Sequence, residues 1–141
     1  MRAFVLIAAS LVIAACSSNP TTTEPVVYSQ SEVADSIHIR VGRTIIVDGT
    51  RITFEAVESD SRCPMDVVCV WQGDAVARFV VEQSGAPSSG VTLKLHTTLD
   101  PKSGTGHGFR IELLTLAPYP RAATATKPDE YIAAVKIVPA S

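Results

Sequence analysis

Apolar and polar residues alternate with a period of two through nearly all of this chain beyond residue 36, and that pattern excludes most folds at once. Ile37, Ile39 and Val41 alternate with His38 and Arg40, and Ala75, Ala77, Phe79 and Val81 alternate with Val76, Arg78 and Val80. In the run Arg51 to Val57, the residues Ile52, Phe54 and Ala56 share one face. Successive side chains of a strand point to opposite faces, so such alternation buries one side of a pleated sheet. Thr44 to Val47, then Val91, Leu93 and Leu95, then Phe109, Ile111 and Leu113, and finally Tyr131 to Val138 continue the series. No stretch of this region carries the 3.6-residue spacing of a helix.

Turn signals separate the strands. Asp48-Gly49 suits the positive φ angles of a two-residue hairpin turn. Ser84-Gly85-Ala86-Pro87-Ser88-Ser89-Gly90 and the glycine-rich Asp100 to Gly108 read as loops. The expectation is an all-β domain over residues 32–141: a single antiparallel β-sandwich of about seven strands, immunoglobulin-like, or a small barrel. That length buries one core. Lys102-Ser103-Gly104-Thr105-Gly106 lacks the glycine spacing and lysine position of a phosphate loop and reads as solvated hairpin.

Upstream, Ser17 to Ser31 is polar and punctuated by Pro20 and Pro25, with too little apolar content to offset its ordering entropy. Residues 16–31 are therefore expected to form a flexible linker, the alternative being that Val26, Val27 and Tyr28 add an edge strand to the domain. Some fifteen such residues reach roughly 50 Å when extended and average nearer 20 Å as a coil. Before them, Met1-Arg2 leads into the uncharged run Ala3 to Ala15, which ends Ile13-Ala14-Ala15-Cys16. This segment resembles a lipobox-type lipoprotein signal peptide, with residues 1–15 removed and Cys16 the first residue of the mature chain. The resemblance implies lipidation of Cys16 and a membrane anchor, each buried methylene contributing about 0.8 kcal/mol. Ser17, rather than Asp, follows the cysteine, which in enteric-type sorting favours the outer membrane, with the domain facing the periplasm.

The formal net charge is −2. Loss of Arg2 with the signal makes it −2 − 1 = −3, so no basic field exists to gather nucleic acid. Of three cysteines, assignment of Cys16 to lipid leaves Cys63 and Cys69 as an even pair. Six positions of chain can bring their Cα atoms within the roughly 4.4–6.8 Å of a disulfide, and an oxidising compartment would let the bond form. The alternative is a soft-metal site in which Cys63, Met65 and Cys69 supply sulfur to Cu(I). The Cys-x-x-Cys spacing of redox pairs is absent.

The cysteines sit in the least ordinary stretch of the chain. Asp60-Ser61-Arg62-Cys63-Pro64, four residues, then Cys69-Val70-Trp71-x-Gly73, with Pro118-Tyr119-Pro120 and Asp129-Glu130-Tyr131 further on, resembles a motif of small uncharacterised bacterial lipoproteins and exported proteins. The resemblance spans most of Thr44 to Val138. Gln72 stands where that family has a small residue such as Ala. It implies export and a β fold, and it brings no activity with it.

Asp60, Arg62, Trp71 and Gly73 are the residues of a possible binding loop. Asp60 and Arg62 either fix the loop as a carboxylate–guanidinium pair or form a solvated pair worth little. Trp71 is expected to cover the disulfide, Asp66 to serve the turn, and Trp71, Tyr119 and Tyr131 to line a surface patch. His38 and His96 share faces with Arg40 and Lys94 and are expected at the surface, and His107 lies between two glycines. No pair of histidines has zinc-ligand spacing and no Gly-x-Ser-x-Gly follows a strand, so no catalytic residue is assigned. The sequence thus points to a non-enzymatic, lipid-anchored interaction or binding module of the envelope, inhibition of a periplasmic enzyme being one form of it. The soft-metal site is the alternative. Its partners would be the membrane, through the lipid, and an envelope protein or ligand that the sequence does not name. No cofactor is implied, and oligomeric state is not readable.

Overall fold

The computed structural model describes residues 24–29 and 35–140. Cys16 and the expected signal segment lie outside them. Among the described residues there are nine strands: β1 Val26–Tyr28, β2 Ile37–Arg40, β3 Arg43–Val47, β4 Thr50–Asp60, β5 Ala75–Gln83, β6 Ala86–His96, β7 Ser103–Gly106, β8 Phe109–Ala117 and β9 Ile132–Pro139. They form a five-stranded sheet of order β1-β3-β4-β5-β6 and a four-stranded sheet of order β2-β9-β8-β7. Every pairing is antiparallel except β1 with β3. The two sheets remain separate, so the fold is a β-sandwich and not a closed barrel.

The alternating residues meet between the sheets. Ile52, Phe54, Ala77, Phe79 and Val81 from one sheet face Ile39, Ile111, Val135 and Ala133 from the other, all within one buried cluster. Phe54 and Phe79, directly paired across β4 and β5, stack with ring centroids 4.9 Å apart. Such a pair adds about 0.5–1.5 kcal/mol beyond its burial. At the β3–β4 hairpin, Asp48 and Gly49 both have positive φ, 44° and 78°, as the turn chemistry requires.

Four expectations need correction. Of Ser84 to Gly90, read as a loop, only residues 84–85 turn, and β6 begins at Ala86, paired with Gln83. Val26–Tyr28, assigned to the linker, adds a parallel strand at the edge of β3, and Tyr28 packs partly against the core. Ser103–Gly106, assigned to a solvated loop, is β7. Its glycines mark close approach rather than freedom: a Cβ on Gly104 would lie 2.8 Å from a Leu93 methyl carbon, and one on Gly106 3.1 Å from Val81 Cβ. Bare backbone lets β7 lie directly over β5 and β6. Finally, a register shift between Phe54 and Ala56 breaks the phase of β4. Val57 packs against the core from the far side of that bulge, where strict alternation would send Ala56.

The topology gives the sandwich two unlike ends. One carries the tight turns at residues 48–49, 84–85 and 107–108. The other gathers the long connections: residues 61–74 between β4 and β5, 97–102 between β6 and β7, and 118–131 between β8 and β9. The β2–β3 turn at residues 41–42 opens toward this second end, because Arg43 is paired with Phe54 and Arg40 with Ile132. Glu24 and Pro25 lead into β1 from the same direction, since β1 runs parallel to β3.

Candidate functional site: a stapled loop with a polar base

The β4–β5 connection continues its parent ladder before it turns. Ser61 N–H donates to Asp74 O at 2.8 Å and Cys63 N–H to Gln72 O at 2.9 Å. Gly73 makes this narrow base possible. Its φ is +72°, and a Cβ there would sit 1.9 Å from the carbonyl oxygen of Ser61. No other residue fits that position without moving the backbone. Above the base, Cys63 and Cys69 form the expected disulfide, with Cα atoms 5.9 Å apart. Met65 N–H donates to Pro120 O at 3.1 Å, and Asp66 Oδ1 accepts from Ala122 N–H at 2.9 Å. The loop is therefore stapled internally and tied sideways to the β8–β9 connection.

Arg62 supplies the strongest of these ties. Its Nε and Nη2 donate to the two carboxylate oxygens of Asp60 at 2.8 and 2.6 Å. Its Nη1 reaches Leu116 O at 2.6 Å and Nη2 also reaches Pro118 O at 3.0 Å. The guanidinium carbon lies 4.8 Å from the centroid of the Tyr119 ring, a cation–π distance. Asp60 accepts in addition from the Arg62 backbone N–H at 3.2 Å and from Tyr131 Oη at 3.0 Å. The Arg62 and Asp60 side chains are only 3% and 9% exposed. Burial pushes the Asp60 carboxyl up, but the hydrogen bonds and charge of Arg62, with Tyr131, outweigh it and hold the group below its ordinary value. The Tyr131 hydroxyl moves the other way, raised by burial and then by the Asp60 charge beside it.

A second buried carboxylate closes the neighbouring side. Asp74 Oδ2 lies 2.6 Å from His96 Nδ1, while Oδ1 accepts from the Thr97 hydroxyl at 3.2 Å and from the Thr98 and Leu99 backbone N–H groups at 2.9 and 3.3 Å. Burial again raises the carboxyl, but His96, Thr98 and Leu99 together lower it to about 2. Asp74 thereby fastens the base of the loop to the start of the β6–β7 connection.

The expected site residues thus divide. Asp60 and Arg62 are paired as one of the two readings proposed, but buried, so they hold the loop and are out of a partner's reach. Gly73 acts through its backbone. Trp71 is 65% exposed, and Cys69 is exposed as well. Between Cys69 and Gln72, whose carbonyl is held by Cys63, only Val70 and Trp71 remain to turn the chain, and both stay outside. Tyr131 is buried and leaves the expected aromatic patch. His96 is not simply a surface residue: it is half-buried on Asp74. With the two sulfurs joined, neither cysteine is a thiolate, and the soft-metal set of Cys63, Met65 and Cys69 keeps only Met65. Among the described residues, no group of three or more His, Cys, Asp or Glu side chains is placed to hold a metal ion.

What the loop offers outward is apolar. Met65, Val67, Val68, Val70 and Trp71 are all exposed, Val68 and Val70 completely. Beside the loop, a shallow depression of about 180 Å³ is lined by residues including Arg62, Gln72, Thr98, Leu114 and Tyr119. That is smaller than the ~300–1,000 Å³ of a typical small-molecule site. A wider cleft of about 410 Å³ lies where the chain runs into β1, lined by His38, Arg40, Arg43, Arg51, Tyr28 and Glu24 among others. Comparison with protein-family models, with curated proteins and with solved structures finds no match for the chain.

Sequence reasoning passed over Asp74, Thr98 and the pair Val68 and Val70. The signal for the valines was present: two apolar residues outside any strand, on either side of a cysteine in a turn, with nothing in the alternation to bury them.

Proposed function

We propose that this protein is an exported, lipid-anchored module of the bacterial envelope that works by contact, without catalysis, through the end of the sandwich that carries the Cys63–Cys69 loop. One observation carries the reading. A rigidly founded loop holds Val68, Val70 and Trp71 out in solvent, where their exposure is unfavourable unless something covers them. Contiguous exposed apolar side chains on a stable fold mark interaction surfaces, and loops on a rigid sheet are where proteins commonly place them. The depression beside the loop is too small for most metabolites, which favours a surface contact over ligand capture. The lipobox-like ending at Cys16 and the disulfide both suit an oxidising, extracytoplasmic compartment.

Intact-mass analysis of the full-length gene product recovered from bacterial membranes tests the address: cleavage before residue 16 with added acyl mass is expected, and an unprocessed, unmodified amino terminus contradicts it. A panel of ester, peptide and glycan substrates tests the absence of catalysis. Turnover that disappears on a single side-chain change would overturn the reading.

A further inference from the structure

We infer that the tip of the Cys63–Cys69 loop rests on the lipid–water interface of the membrane that holds the protein. This deepens the proposal above and rests on acylation of Cys16, and it names the bilayer itself as the partner of the exposed loop.

Chain direction carries the argument first. Followed toward its amino terminus, β1 leads to the loop-bearing end of the sandwich, because β1 is parallel to β3 and β3 begins opposite Phe54. Glu24 and Pro25 accordingly line the cleft beside Gly42 and Arg43. From Phe54 to Asp60, β4 carries two bulges and advances only four positions along β5, from Phe79 to Ala75, about 14 Å. From Cys16 to Glu24 there are eight residues, which reach at most about 28 Å. An anchor at Cys16 can therefore lie no more than about 28 Å from Glu24, a reach that includes the level of the loop base and keeps that end of the sandwich near the bilayer.

The chemistry of the tip suits the interface. Between Cys63 and Trp71 the only charged residue is Asp66, which is exposed and whose Oδ1 accepts from the Ala122 N–H at 2.9 Å, turning it toward the β8–β9 connection. Val68 and Val70 offer aliphatic surface, and Trp71 offers an apolar ring with an N–H donor, the combination enriched at headgroup level. Three such side chains bind a membrane weakly by themselves. A lipid tether makes their contact intramolecular, so weak affinity suffices. Because the disulfide and the base already fix the loop, little further ordering is lost on docking.

Trp71 is the sole tryptophan of the chain, so its fluorescence reports the contact directly. Protein purified from bacterial membranes is reconstituted in phosphatidylcholine vesicles, with and without brominated acyl chains. The expected result is emission at shorter wavelength than in the detergent-free proteolytically released domain, quenching by the brominated lipid, and no change in either on raising the salt. The variant Val68→Asp/Val70→Asp, altered only at solvent-exposed positions, should lose the lipid quenching while keeping its acyl mass. If the acyl mass is present and Trp71 nevertheless remains open to aqueous iodide and untouched by brominated lipid, the inference is wrong and the anchored-module reading stands. If Trp71 becomes shielded only in native envelope fragments, a protein covers the loop and the inference is equally wrong. If the acyl mass is missing, the parent reading fails and this inference falls with it.

Discussion

The base and the tip of the cysteine loop invert the usual distribution of side chains. At the base, two carboxylates and a guanidinium are buried, and at the tip, a few residues away, valines and the lone tryptophan stand in water. Ordinary surfaces are built the other way round. Each half explains the other: the buried polar network holds a short loop in one conformation, and a loop so held can keep apolar side chains out of the core. Stability belongs to the base, and contact belongs to the tip.

That division is open to attack by mutation. Arg62→Ala should have the largest effect, because it leaves the Asp60 carboxylate buried without its partner; loss of a buried ion-pair partner costs about 3–5 kcal/mol, read as a fall in the denaturant midpoint. Next comes Gly73→Ala. A left-handed φ for a residue with a Cβ costs roughly 1–2 kcal/mol and the collision with the Ser61 carbonyl adds strain comparable to overpacking, about 1–3 kcal/mol. The same unfolding curves measure it.

Asp74→Asn should cost about 2 kcal/mol at neutral pH, the free-energy equivalent of holding the carboxyl at about 2 instead of 3.8. A carboxyl depressed in the folded state adds stability that is complete above its unfolded value and is lost as protons bind. Wild-type stability should therefore fall between about pH 4 and pH 2, Asp60 contributing in the same direction. The Asp74→Asn variant should show a shallower acid limb in unfolding measured across that range. The smallest effect on the fold belongs to the tip. Val68→Asp should change stability by no more than about 0.5 kcal/mol, as exposed substitutions do, and a loss as large as that of Arg62→Ala would show that tip and base are one unit.

The same contrast sets how far the fold could be read from sequence. Seven strands follow from alternation because a sheet with one buried face imposes a period of two on its sequence. β1 is open in the sequence only as the alternative to a linker, because three residues carry too little pattern to decide it, and β7 escapes because glycine, which signals a loop, here serves close packing against Leu93 and Val81. For Arg62 the pairing with Asp60 is one of two readings open in the sequence, but its burial escapes for a different reason. An arginine in a polar stretch reads as solvated unless its partners are known, and here they include Leu116 and Pro118, 54 and 56 residues away, and through Asp60 also Tyr131. No local pattern encodes such a convergence. The disulfide was legible, beside a soft-metal alternative, from cysteine count, spacing and the expected compartment, whereas the outward turn of Trp71 goes with the Cys63–Gln72 hydrogen bond, which only the folded chain reveals.

Amide hydrogen exchange resolved at single residues tests the division between base and tip most directly. Because the amides of Ser61, Cys63 and Met65 donate to Asp74, Gln72 and Pro120, they should exchange as slowly as those of β4 and β5, while the Trp71 indole remains accessible to an aqueous quencher in the free protein. Exchange of these three amides at the rate of an unstructured peptide would contradict the account, since a loop without a fixed base has no means of holding its apolar tip in water.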